Sequence, residues 1–187
     1  DVDNGDGTWT FTQVIDEYST PPHYLGPFYT PNSLCDSYAG FEYYSWWDQN
    51  YGWRHDFPHW ADANLQILSA QLIIQGWDVD SEVEHGYDGE YDGVYLDGTL
   101  LDPGYLQGYD QTWSVTTFDV PTSTFLDDGV INTFLDIDLH HAECYWATTL
   151  DFSKLVILYG FGGPEPNHPP FQPVLTMVPN LLEGHCP

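Results

Sequence analysis

The chain carries 29 aspartates and glutamates against two basic residues, Arg54 and Lys154, for a formal charge of −27. Ion pairing can neutralise almost none of this, so any compact fold must hold like charges together against their repulsion. Clustered lysine and arginine, which nucleic acid and anionic membrane surfaces require, are absent, and both partners are excluded. Positive charge has to come from elsewhere, and divalent cations are the expected source. Hydrophobic residues make up 42% of the chain and aromatics 17%, so a packed core is within reach and disorder is not expected.

The hydrophobic pattern is that of short strands. Thr8 to Ile15 alternates, with Trp9 and Phe11 on one side and threonines on the other. Leu65 to Ile74 is an apolar run of strand type. Val94–Leu96 and Thr99–Leu101 flank Asp97-Gly98, the signature of a tight hairpin. Thr112–Phe118, the alternating stretch Ile131 to Leu139, and Lys154–Tyr159 complete the set. Seventeen glycines and 14 prolines punctuate these runs, and no helical period is convincing. The fold class expected is all-β, a jelly-roll-like β-sandwich.

Three regions are expected. Residues 1–60 form a head, with the N-terminal strand set apart by Pro21, Pro22, Pro27 and Pro31, then an aromatic-rich stretch from Phe41 to Trp60 without clean period, read as a large loop. Residues 61–160 form the sandwich. Residues 161–187 form a proline-rich tail packing on it. Cys35, Cys144 and Cys186 permit one disulfide and leave one thiol over, with the pairing open. An oxidising compartment is expected, and the polar start at Asp1 fits a secretory signal already removed.

Two Asp-x-Asp pairs, Asp78-Val-Asp80 and Asp136-Ile-Asp138, carry the chemistry. On a strand, residues i and i+2 share a face, so each pair presents two carboxylates together while Val79 and Ile137 face the core. Such a pair repels unless a proton or a cation lies between. Calcium, which takes six to eight hard oxygen ligands, is the expected cofactor. The acidic N-terminus, with Asp1, Asp3 and Asp6 among glycines, also looks like a calcium loop. It departs from EF-hand spacing, because the twelfth position is Thr12. His55, His59, His140 and His141 give a weaker metal signal.

The series Gly76-Trp-Asp-Val-Asp80, Asp92-Gly-Val-Tyr-Leu-Asp-Gly98, Trp113-Ser-Val-Thr-Thr-Phe118, Asn132-Thr-Phe-Leu-Asp-Ile-Asp138 and Trp146 to Phe152 resembles a β-sandwich module of secreted and surface-anchored bacterial adhesin-like proteins. The resemblance covers about residues 65–160. It implies a jelly-roll-like domain, an extracellular or cell-surface location in a bacterium, and structural or adhesive work. The positions matching the module's aspartates are Asp78, Asp80, Asp92, Asp136 and Asp138.

Three functions follow as expectations. The first is a calcium-stabilised structural or adhesive subunit, joined to copies of itself through the N-terminal strand, with Trp9, Phe11 and Val14 at the contact. The alternative is a carbohydrate-binding module, with Trp46, Trp47, Trp53 and Asp48 facing an extracellular polysaccharide. Catalysis is not expected. There is no Gly-x-Ser-x-Gly elbow, no His-Glu-x-x-His and no phosphate loop.

Overall fold

The computed structural model describes residues 1–16, 24–25, 43–46, 50–81, 89–125, 128–138 and 147–162. Eleven strands lie within them: β1 (Val2–Asp3), β2 (Thr8–Ile15), β3 (Tyr24–Leu25), β4 (Tyr43–Trp46), β5 (Tyr51–Asp56), β6 (Leu65–Trp77), β7 (Gly93–Leu96), β8 (Thr99–Tyr105), β9 (Trp113–Asp119), β10 (Val130–Asp136) and β11 (Ala147–Phe161). A single 3-10 turn, Thr122–Phe125, follows β9. All strand pairs are antiparallel, and they build two sheets. The first runs β1-β2-β11-β6-β9, with β4 also on β11; the second runs β3-β5-β10-β7-β8.

The alternation seen in the sequence decides which side chains meet. Leu72, Ile74, Phe118, Leu155 and Ile157 point inward from the first sheet, and Val94, Leu96, Ile131 and Leu135 from the second. None of these is more than 4% exposed. They form one hydrophobic cluster between the sheets, which gives the fold its sandwich-like character. The hairpin joins β7 to β8 as expected. Leu96 pairs with Thr99, and Asp97 and Gly98 take φ of 47° and 79°, the left-handed pair of a type I′ turn.

Two expectations are corrected. The N-terminal strand is not detached. It pairs with β11 over eight positions, from Ile15 opposite Ser153 to Thr8 opposite Gly160. Trp9 stacks on Tyr159 and meets Phe161 edge-on, while Phe11 meets Phe57. These apolar rings are satisfied inside their own domain, and Val14, 43% exposed, lies on the outer face. The stretch after Phe41 is not one loop either. It contributes β4 to the first sheet and β5 to the second, so residue 60 marks no break in the sheets. The period was hidden because β5 alternates core residues of mixed chemistry, Trp53 and His55, with half-buried Arg54 and Asp56.

His55 joins the sheets at their centre. It is fully buried on β5, with Nε2 at 2.9 Å from Ser153 Oγ on β11 and Nδ1 at 3.1 Å from Gln13 Oε1 on β2. Gln13 Oε1 also accepts the Asp56 backbone N–H at 2.9 Å. The bridge couples the N-terminal strand to both sheets.

Candidate metal centre

The two Asp-x-Asp pairs lie at strand ends, not within strands. β6 ends at Trp77, and Asp78 turns the chain with φ 63°; β10 ends at Asp136, and Asp138 turns it with φ 50°. Aspartate tolerates this left-handed region better than most residues, because its short side chain can bond locally. The apolar residues between still anchor each pair, with Val79 1% and Ile137 0% exposed. Gly76 permits the first fold-back, since a Cβ there would lie 2.9 Å from Val79 Cγ2.

The first pair gains a third carboxylate that sequence reasoning missed. Asp78, Asp80 and Asp110 bring carboxylate oxygens within 4.8 Å of one another. Asp110 belongs to the turn between β8 and β9, closed by the Thr112 N–H on Tyr109 O at 3.2 Å. That turn is tied to the site, because the Gln111 N–H donates to Asp78 Oδ1 at 2.7 Å. Burial pushes the Asp78 carboxyl up to about 6; the Gln111 N–H opposes this, and neighbouring Asp110 adds to it. Three oxygens at this separation form a hard-ligand set open to one side, suited to a divalent cation.

A second group lies inward of the first. Glu90, Asp92 and Asp138 are all 0% exposed. Asp80 links the groups: the Glu90 N–H donates to Asp80 O at 2.7 Å, and the Asp80 N–H donates to Glu90 Oε2 at 3.3 Å. The Asp138 N–H donates to Asp92 Oδ1 at 3.1 Å. Burial drives Glu90 well above the usual carboxylate range, and the facing Asp92 and Asp80 carboxylates push the same way. Burial also pushes Asp92 up to about 7, against hydrogen bonds from Glu90 and the Asp138 N–H and with repulsion from Asp138 and Asp136. Arg54 is engaged with Asp56 at 3.0 Å, and Lys154 lies over the Phe152 ring at 5.8 Å.

The remaining sequence-predicted residues fall as follows. Asp136 accepts from Asn50 Nδ2 at 2.5 Å, beside the inner group. Asp1, Asp3 and Asp6 belong to no group of three close side-chain ligands among the described residues. They lie in the hairpin between β1 and β2. Asp3 Oδ1 accepts the Gly5 N–H at 2.8 Å, Asp6 Oδ1 accepts the Thr8 N–H and hydroxyl, and Asp1 Oδ2 meets His59 Nε2 at 2.9 Å. The two Thr8 donors hold Asp6 below its ordinary pKa. Trp53 is 4% exposed and part of the core, so its ring offers no sugar platform. The Trp46 backbone lies in β4, while Trp47, Asp48, His140, His141 and the three cysteines lie outside the described residues.

Gly108 supports the outer triad from behind. A Cβ there would stand 2.8 Å from both Cβ and O of Val79, the residue between Asp78 and Asp80, and 2.9 Å from Ser114 Oγ. Gly108→Ala must therefore push the Asp78–Asp80 backbone outward. The expected cost is about 1–3 kcal/mol of stability, read by chemical denaturation of the variant beside the parent chain.

Compared with protein-family models and with curated proteins, the sequence matches none.

Proposed function

We propose that this chain is an extracellular structural or adhesive module, a jelly-roll β-sandwich stabilised by calcium at Asp78, Asp80 and Asp110. The convergence of those three carboxylates from β6 and the β8–β9 turn, in a chain with two basic residues, carries the reading. The strand orders 2-11-6-9 and 5-10-7-8 support jelly-roll connectivity, because from β5 to β11 successive strands alternate between the sheets except at the β7–β8 hairpin, as two nested Greek keys require. The likeness to adhesin-like modules over about residues 65–160 supports extracellular work. Self-association through β2 would be an exchange of strands between copies, since that strand is already paired within its own chain.

Calcium affinity tests both halves of the reading. Calorimetric titration should give half-saturation at roughly 10⁻⁴–10⁻³ M, the range of extracellular modules. Asp78→Asn should weaken it at least tenfold. Absence of binding, or an affinity in the nanomolar range of intracellular buffers, would contradict the proposal.

One observation favours polysaccharide binding as a second reading, at a different place from that expected. On the outer face of the second sheet Phe134, 41% exposed, meets Tyr95 edge-on at 6.2 Å, and Tyr105 meets Tyr91 at 5.4 Å. This aromatic row is flanked by Asn132 and Asp136. If it serves a neutral glycan, saturable binding to an immobilised polysaccharide will be lost in Phe134→Ala; retention of binding would remove the face from consideration.

A further inference from the structure

We infer that two copies of this chain associate face to face through the outer surface of the first sheet, with every strand kept in its own molecule. The inference rests on no bound ion and stands apart from the calcium reading.

Strand alternation fixes what that surface carries. The core residues of β2, β11, β6 and β9 point between the sheets, so the residues between them point outward. One cross-strand row places Val14 opposite Lys154, Lys154 opposite Ile73, and Ile73 opposite Thr117. The next outward row runs from Thr12 through Val156 and Gln71 to Asp119. Val2, Val14, Leu68 and Val115 are between 43% and 64% exposed, and Ile73 and Val156 lie half-buried among them. On the outward positions of β2, of β9 and of residues 66–75 and 152–158, two side chains are charged: Asp119 at one corner and Lys154 near the middle. The face is therefore formally neutral in a chain of net charge −27.

That neutrality selects the occupant. Two copies that meet on acidic surfaces press like charges together. On this face they meet with no net charge on either side. Depletion of charge is the composition of an interface core, and contiguous apolar surface on a soluble chain marks a contact site. One cation and one carboxylate per copy are also self-complementary under a two-fold axis, where each cation faces the other copy's carboxylate. The five strands of this sheet and the seven residues of β9 set its size. At about 4.8 Å between strands and about 3.3 Å per residue, the patch measures roughly 24 Å by 23 Å. Two such patches bury about 1,100 Å², near the low end for a specific interface, so the pair is weak and reversible. The rest of each molecule stays acidic, and that repulsion opposes the contact until salt screens it.

Sedimentation equilibrium of the full chain, extended to millimolar protein, tests the pairing. The parent should pass from monomer to dimer as concentration rises. It should do so more readily in about 0.5 M than in about 0.02 M sodium chloride, where the Debye length is roughly 4 Å against roughly 20 Å. Val115→Asp on β9 and Thr12→Asp on β2, exposed positions on different strands of the face, should each weaken the dimer about tenfold or more. Lys154→Glu, which leaves two negative charges on the face, should abolish it. Thr99→Asp, the same added charge on β8 of the second sheet, should leave it unchanged. A parent chain that stays monomeric at both salt concentrations would overturn the inference. So would a dimer weakened by Val115→Asp but indifferent to Thr12→Asp and Lys154→Glu, the pattern of edge-to-edge pairing through β9. A dimer weakened equally by Thr99→Asp would overturn it as well, because overall charge and not this face would then control association. Should Lys154→Glu fail to fold, as read by circular dichroism, the two aspartate variants at exposed positions carry the test.

Discussion

Stripped of divalent ions, the protein should be more stable at pH 5 than at pH 8, the reverse of the usual behaviour of salt-bridged carboxylates. The sign follows from the inner group. Burial raises the Asp92 pKa from 3.8 to about 7 in the folded state, and Glu90 moves the same way. A group whose folded pKa lies above its unfolded value contributes stability that is fully present below the unfolded pKa. That contribution fades as pH rises through the folded pKa. The window here runs from about pH 4 to pH 7. At roughly 1.4 kcal/mol per pH unit, the rise from pH 5 past pH 7 removes about 3 kcal/mol through Asp92 alone. For a chain of this size that is a fall of about 6–12 °C in melting temperature. Asp78, raised to about 6, acts in the same direction with a smaller, partly screened share. Saturating calcium should offset the Asp78 share of the trend, because ligation at Asp78, Asp80 and Asp110 needs deprotonated carboxylates. Stripped protein that is equally stable at pH 5 and pH 8 would mean that these carboxylates carry no unfavourable charge when folded.

The second large effect is expected at His55→Leu, far from the acidic centre. Leucine fills a similar volume but removes the contacts to Ser153 and Gln13. The Ser153 hydroxyl, 4% exposed, loses that partner inside the core. Stranding a buried polar group costs about 1–3 kcal/mol, and the loss of the hydrogen bonds to both strands brings the expected total to about 2–4 kcal/mol. Adding Ser153→Ala to His55→Leu should then cost less than the sum of the single changes, because the hydroxyl left without its partner is gone. Strict additivity in denaturant unfolding would show that the bridge does not hold the sheets as a unit. The same contact explains why β2 belongs to the sandwich: Gln13 reaches both His55 and the Asp56 backbone.

Legibility in the sequence followed the range of the interaction involved. The Asp97-Gly98 hairpin is local and was readable, since the turn type demands left-handed residues at both positions. β6 and β10 were readable because apolar residues recur with the period of a sheet that buries one face. The pairing of β2 with β11 joins residues about 140 positions apart, and nothing local in Trp9 or Phe11 distinguishes a strand paired at home from one offered to a neighbour. The acidic centre was half legible. Asp-x-Asp spacing pointed to Asp78, Asp80, Asp136 and Asp138, and the resemblance added Asp92, but neither pointed to the strand ends that turn them. Asp110 stands 30 residues from Asp80 with no neighbouring signal, and only the turn before β9 brings it in. Glu90 read as one more acidic residue among many, whereas the fold buries it completely. Glycine-rich acidic stretches suit hairpin turns as well as calcium loops, and Asp3 and Asp6 each place one carboxylate oxygen on a backbone N–H of the turn.

The most direct test of divalent ions as the countercharge is a pair of melting curves at pH 8 and low ionic strength, before and after exhaustive chelation. Chelation should lower the melting temperature by several degrees, and calcium should restore it where an equivalent ionic strength of sodium chloride does not. Superimposable curves, or full restoration by sodium chloride alone, would contradict the account.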